Sequence, residues 1–272
     1  MSLRFVKMHG AANDFVVVDH RTPFLPADPG PLVRRLCDRR RGVGADGVLL
    51  LERDPELDFA MGYYNADGGR AEFCGNGARC LARFALDLGL GRGGVVRFRT
   101  DVGIQEAQRS ADGRGISLHF GPVEPAGESI AIEAGGRRVE GRLIRAGVPH
   151  FVVAVERVGD VDLPASAPPL RRHARFAPAG ANVDFVERRG PSRWAMRTWE
   201  RGVEGETLAC GSGAIATAVF AAAAGDGSPV QVLTAGGDTL EVALATMDDR
   251  WDARLIGPAE VSFAGEWPET GD

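Results

Sequence analysis

Cys74 and Cys210 head two near-identical segments, Cys74-Gly75-Asn76-Gly77-Ala78 and Cys210-Gly211-Ser212-Gly213-Ala214, set half a chain length apart in 272 residues. Apolar residues follow each at helical spacing, Cys80, Leu81, Phe84 and Ala85 in one and Ile215, Ala216, Val219 and Phe220 in the other. They predict buried helices over 77–87 and 213–223, with both thiols at helix N-termini. Unpaired amide N–H groups and the positive end of the helix dipole favour anions there, and a thiol so placed is expected to fall from about 8.5 toward roughly 3.5–7.5. The glycines let the same amides approach a bound carboxylate.

Two such elements supply two thiols and two sets of donors, which suits inversion of a stereocentre: a base on one face of a carbon and an acid on the other. Donors aimed at charge developing in the substrate carboxylate are worth about 2.7–4 kcal/mol each. Positioned acid and base groups add about 10²- to 10⁴-fold. The expected reaction is therefore proton transfer at the α-carbon of an amino acid, catalysed by Cys74 and Cys210 without cofactor or metal. Lys7 is the one lysine, with no phosphate-cradling motif beside it, so a pyridoxal Schiff base is not expected. Cys37 and Cys80 read as small buried hydrophobes. The spacing of Cys74 and Cys80 is not that of a zinc knuckle, and His9, His20, His119, His150 and His173 show no ligand-like pairing.

The elements that must position the thiols repeat at the same offset. Phe15-Val16-Val17 matches Phe151-Val152-Val153, Gly44-Ala45 matches Gly180-Ala181, Phe84 matches Phe220, and Gly121-Pro122 with Glu124 matches Gly257-Pro258 with Glu260. A doubled chain implies two similar domains related by a pseudo-twofold axis, with the site between them and positions 74 and 210 facing each other. Short β-rich runs at 4–7, 15–19, 48–52, 59–64, 95–100 and 116–120 recur at 141–145, 151–155, 184–187, 195–199, 230–234, 239–245 and 251–255, and are predicted strands. The fold class is α/β (α+β), each half a mixed sheet wrapped around a central helix. The proline-rich stretch 164–169 is expected to be a surface loop and 124–133 the boundary between halves.

The composition, 44% hydrophobic and 25% charged with a net charge of −5, fits a globular protein of one large or two medium domains. No block of like charge suggests a nucleic-acid or membrane surface. The N-terminal stretch lacks a secretory apolar core, and the longest apolar run, 215–224, is far short of the ~20 residues of a membrane span. Four cysteines do not suggest a disulfide framework, so reduced thiols and a cytoplasmic location are expected.

Together these segments closely resemble diaminopimelate epimerase. The resemblance rests on Met8-His9-Gly10 through Asn13-Asp14-Phe15, Gly42-Val43-Gly44-Ala45-Asp46-Gly47, Asn65-Ala66-Asp67-Gly68, the segment from Cys74 to Cys80, Gly180-Ala181-Asn182-Val183, and Glu200-Arg201-Gly202 through Glu206-Thr207 to Ala209–Ala214. It implies conversion of LL-2,6-diaminopimelate to the meso form by two cysteines, for lysine and cell-wall biosynthesis, in a homodimer. It implies that Gly75, Asn76, Gly211 and Ser212 hold the reacting carboxylate and that Asn13, Asn65, Asn182, Glu200 and Arg201 read the distal end. His150 and Glu200 would tune the thiols, with a hydrogen-bonded structural histidine an equal alternative for His150. The implied domains are 1–124 and 125–261, with a strand from 262–272 returning to the first.

Val148 stands where the family commonly has asparagine, and Gly47 where some members have glutamine. Val148 raises the alternative of a two-thiol racemase acting on another amino acid. A non-enzymatic binding or thiol-redox protein using the same cysteines is a third reading.

Overall fold

Phe15–Val18 and Val48–Leu51 are apolar at every position, which suits strands covered on both faces. In the computed structural model, which describes residues 2–71, 73–113 and 115–268, both runs lie in interior strands. The first half of the chain forms β1 (Ser2–Gly10), β2 (Asn13–Asp19), α1 (Gly30–Cys37), β3 (Gly47–Glu52), β4 (Phe59–Asn65), α2 (Gly75–Asp87), β5 (Val95–Thr100), β6 (Gly103–Arg109) and β7 (Ile116–Val123). Val16, Val18, Val48 and Leu50 pack in one core with Val33 and Leu36 of α1. Phe15, Val17, Leu49 and Leu51 face the other way, onto Ala78, Leu81, Ala82 and Ala85 of α2. The period-two alternation of β2 and β3 thus divides their apolar side chains between two helices.

The second half forms β8 (Ser129–Ala134), β9 (Arg137–Ala146), β10 (Val148–Ala154), α3 (Leu163–Arg171), β11 (Asn182–Gly190), β12 (Arg193–Glu200), β13 (Gly205–Thr207), α4 (Gly211–Ala223), β14 (Val230–Leu233), β15 (Thr239–Met247), β16 (Arg250–Gly257) and finally β17 (Glu260–Pro268). Two compact units result, one of Met1–His119 with Gly257–Asp272, the other of Phe120–Ile256. Met1 and positions 269–272 of the expected returning segment lie outside the described residues.

Each unit has the same strand order and the same mixture of directions. In the first, β17-β1-β2-β3-β4-β5-β6-β7 is antiparallel except at β2/β3 and β4/β5. In the second, β8-β9-β10-β11-β12-β14-β15-β16 is antiparallel except at β10/β11 and β12/β14. α2 packs on β1, β2, β3, β5 and β6, and α4 on β9, β10, β11, β12, β14 and β15, so each sheet is laid around one helix. The mixed α/β class expected from the sequence is the one observed.

Two readings of the sequence are corrected. The stretch 164–169 is not a loop but the body of α3, whose Leu163, Ala167 and Leu170 are buried against Phe151, Val183 and Phe185. Asp162 caps it by accepting from Ala165 N, and Pro164 occupies the first turn, where its missing N–H is harmless. Within 124–133, β8 occupies the last five positions, and the chain passes between units earlier, inside β7 at His119/Phe120. No helix among the described residues is long and apolar enough to cross a membrane.

Candidate active site

Cys74 and Cys210 are the N-cap residues of α2 and α4, both in extended backbone with φ/ψ of −142/118 and −117/112. Their carbonyls accept the first helical bonds, from Ala78 N at 2.8 Å and Ala214 N at 3.0 Å. Neither helix has a side-chain cap, so the first-turn amides remain directed at the thiol end.

In the first unit Asn13, Cys74 and Asn76 come together. Asn13 Oδ1 accepts from Cys74 Sγ at 3.5 Å and from Asn76 Nδ2 at 3.2 Å, while Asn13 Nδ2 donates to Asp46 Oδ2 at 2.7 Å. Arg79, fully buried, donates to Asn76 Oδ1 at 2.9 Å and reaches the carbonyls of Gly75 and Pro258 at 3.4 Å. The first turn of α2 is thereby clamped from within. Asn65 is exposed, its Oδ1 accepting from Tyr63 Oη at 2.8 Å. A Cβ at Gly47 would meet Tyr64 O at 2.5 Å and Tyr63 Cε2 at 2.9 Å. No longer side chain fits there while Tyr63 holds its place.

In the second unit His150, Asn182, Glu200, Cys210 and Ser212 come together. Cys210 Sγ lies 3.5 Å from Ser212 Oγ, which lies 3.0 Å from His150 Nε2. His150 Nδ1 is 2.7 Å from Asp184 Oδ2, and Thr198 Oγ1 donates to Asp184 Oδ1 at 2.7 Å. His150 and Asp184 are completely buried. Asn182 Oδ1 accepts from Arg201 N at 2.7 Å, which turns Asn182 Nδ2 toward His150 Nε2 at 3.3 Å. The Arg201 guanidinium makes no ion pair among the described residues. Val148, half-buried at the start of β10, brings no polar group.

The expected lowering of the Cys210 pKa is not found. Burial pushes this thiol well above its ordinary value, and the charges of Glu200 and Asp184 push it further, against weaker opposition from Ser212 and the Gly213 N–H. Helix-end amides lose here because the sulfur is almost wholly removed from water and carboxylates face it. Burial likewise raises the Glu200 carboxyl, partly offset by the nearby Thr207 hydroxyl, His150 and the Cys210 thiol. Cys80 and Cys37 are raised by burial to about 12 and about 11, as buried hydrophobes would be. All four cysteines are free. No group of three or more His, Cys, Asp or Glu side chains arranged to hold a metal occurs among the described residues.

Each thiol thus sits against hydrogen-bonding groups and first-turn amides suited to a carboxylate. Asp184, Thr198, Asp46 and the Tyr63 hydroxyl escaped the sequence reading. Asp184 could have been flagged only as a polar residue in an otherwise apolar strand, once the face it occupies was known.

A profile of the family described as diaminopimelate epimerase matches residues 5–125 and 142–260. The chain is 38% identical over 279 residues to a diaminopimelate epimerase of Aquifex aeolicus, covering 98% of each. It is 41% identical over 282 residues to one from Aromatoleum aromaticum, covering 98% of this chain and 99% of that one. Among solved structures, a PhzF-family phenazine biosynthesis protein of Bacillus anthracis superposes with a TM-score of 0.72 at 13% identity, over 98% of this chain and 99% of that one. A hydroxyproline epimerase of Agrobacterium vitis gives 0.65 at 20% identity, over 98% and 92%. These two share the fold.

Proposed function

Because this chain belongs to the diaminopimelate epimerase family, we propose that it converts LL-2,6-diaminopimelate to the meso form, with Cys74 and Cys210 as paired acid and base. The observation that carries the reading is the duplication: two 13-residue helices, each capped by a cysteine and opened by glycine, in two units of the same topology. One thiol takes the α-proton and the other delivers a proton to the opposite face. The first-turn amides of Gly75, Asn76, Gly211 and Ser212 receive the substrate carboxylate and stabilise charge that develops there. Burial and neighbouring carboxylates hold Cys210 protonated, which suits it to the acid role. Arg201, whose guanidinium makes no ion pair among the described residues, suits the distal carboxylate, and Asn65 supplies a further amide. No cofactor is required.

The location is cytoplasmic in this reading, supported by four free thiols. The assembly is a homodimer, supported by half-exposed Val261 and Phe263 on β17; sedimentation equilibrium tests it. For the reaction, the purified protein is incubated with LL-diaminopimelate in D₂O. Meso product carrying α-deuterium is expected, and neither product nor exchange at saturating substrate overturns the proposal. Val148 favours a second reading, a racemase of another amino acid, which exchange across an amino-acid panel distinguishes.

A further inference from the structure

Asp184 has no part in the reaction as described, yet it is a fully buried carboxylate held by two side-chain hydrogen bonds, from Thr198 and His150. Replacing such buried polar groups by apolar ones is often neutral or stabilising, so fold stability alone is a weak reason for it. Its surroundings bear on which nitrogen of His150 carries the hydrogen. Asn182 has its amide oriented by Arg201 N and directs Nδ2 at His150 Nε2, so Nε2 is an acceptor and Nδ1 carries the hydrogen given to Asp184. With Nε2 accepting, Ser212 Oγ–H points at it and turns lone pairs toward Cys210 Sγ.

We propose that Asp184 is a positioning residue that fixes His150 as the proton acceptor for Cys210, the proton travelling through the Ser212 hydroxyl. The step balances: the Cys210 S–H bond breaks and its proton joins Ser212 Oγ, whose own proton passes to His150 Nε2. Thiolate and imidazolium result, the latter beside Asp184, and no electrons are transferred. Glu200 also faces Cys210, but its negative charge opposes the thiolate whereas an imidazolium favours it. This route lets a thiol that rests protonated become a base when the reaction runs in reverse.

The relay rests on reading Cys210 as an acid/base group, but its test needs no substrate. Iodoacetamide alkylation of Cys210 in the full-length protein is followed against pH by peptide mass spectrometry. Ser212→Ala is expected to move the profile up by about one pH unit, about tenfold in rate at fixed pH, with Cys74 unaffected and Ser212→Thr restoring it. Asp184→Asn, whose amide donates to Nδ1 and places the hydrogen on Nε2, is expected to shift Cys210 likewise and to show the switched tautomer in imidazole ¹⁵N NMR. If Asp184→Asn fails to fold, the Ser212 pair decides. An unchanged Cys210 profile in Ser212→Ala, a shift confined to Cys74, or an Nε2–H tautomer in the wild type overturns the proposal. Failure to turn over diaminopimelate with these shifts present would count against the substrate and not against the relay.

Discussion

Gly213 approaches Asp184 so closely that a Cβ on it would stand 2.8 Å from Asp184 Oδ1 and 3.1 Å from Thr198 Oγ1. The glycine after Ser212 therefore serves the carboxylate behind His150 as well as the helix start. Gly213→Ala is expected to destabilise by about 1–3 kcal/mol through overpacking and to reduce kcat more than KM, because Asp184 must give way. Urea unfolding with steady-state kinetics checks both; an unaltered kcat would show that Asp184 can shift without consequence.

Each cysteine is expected to be indispensable for inversion. Cys74→Ala and Cys210→Ala should each lower kcat by at least about 10²-fold, the usual worth of a positioned acid or base, while the melting temperature changes little for half-buried Cys74. Chiral chromatography of the products measures this, and residual inversion above a tenth of wild type in either variant would remove that thiol from the mechanism.

Glu200 offers a test with opposite signs. Its carboxyl is raised from the usual range by burial, and its charge raises Cys210 in turn. Glu200→Gln should lower epimerisation, yet Cys210 should alkylate faster at a given pH because an opposing anion is gone. In the wild type, kcat/KM is expected to fall on the acid side at a pH above that of an ordinary glutamate, and this limb should vanish in the variant. Slower alkylation in Glu200→Gln would contradict the charge assignment.

Alkaline pH should destabilise the fold through Cys80. Burial pushes its thiol up to about 12, against 9.0 unperturbed, so above pH 9 the unfolded chain releases a proton that the native chain keeps. Stability present below that pH is lost as pH rises toward the native value, on the order of a few kcal/mol in total. Cys80→Ala should flatten the decline between pH 8.5 and 10.5, after an initial loss of about 1 kcal/mol. Guanidinium titrations across that window give the slope, and an equal slope in both proteins would refute the assignment.

Leu170 ties α3 to the second core and is 1% exposed. Leu170→Ala is expected to cost about 2–5 kcal/mol, far more than any truncation in a surface loop; a loss below 0.5 kcal/mol, the scale of surface changes, would mean that α3 does not hold the core.

The two cysteine helices could be read from the sequence because apolar spacing, glycines and repetition agreed. α3 could not. Pro168 and Pro169 lie inside it, each removing an intrahelical donor, and the helix persists because Leu163, Ala167 and Leu170 bury their side chains; tertiary packing overrides local propensity. α1 carried a readable signal, proline in its first turn and Val33, Leu36 and Cys37 on one face, obscured by arginines on the other. The Cys210 site divided in the same way. Ser212 and His150 stood in recognisable motifs, but the rise in the thiol's pKa depends on burial and on carboxylates from two other strands, which no linear pattern near position 210 reveals.

β1 is synthesised long before β17, its hydrogen-bonded neighbour; Ser2 and Glu266, which touch through their side chains, are 264 positions apart. The strands of the second unit are nearly contiguous in the chain, so that unit can close while the first still waits on the ribosome with the edge of β1 unpaired. Nascent or prematurely terminated products then present a bare strand edge to other chains.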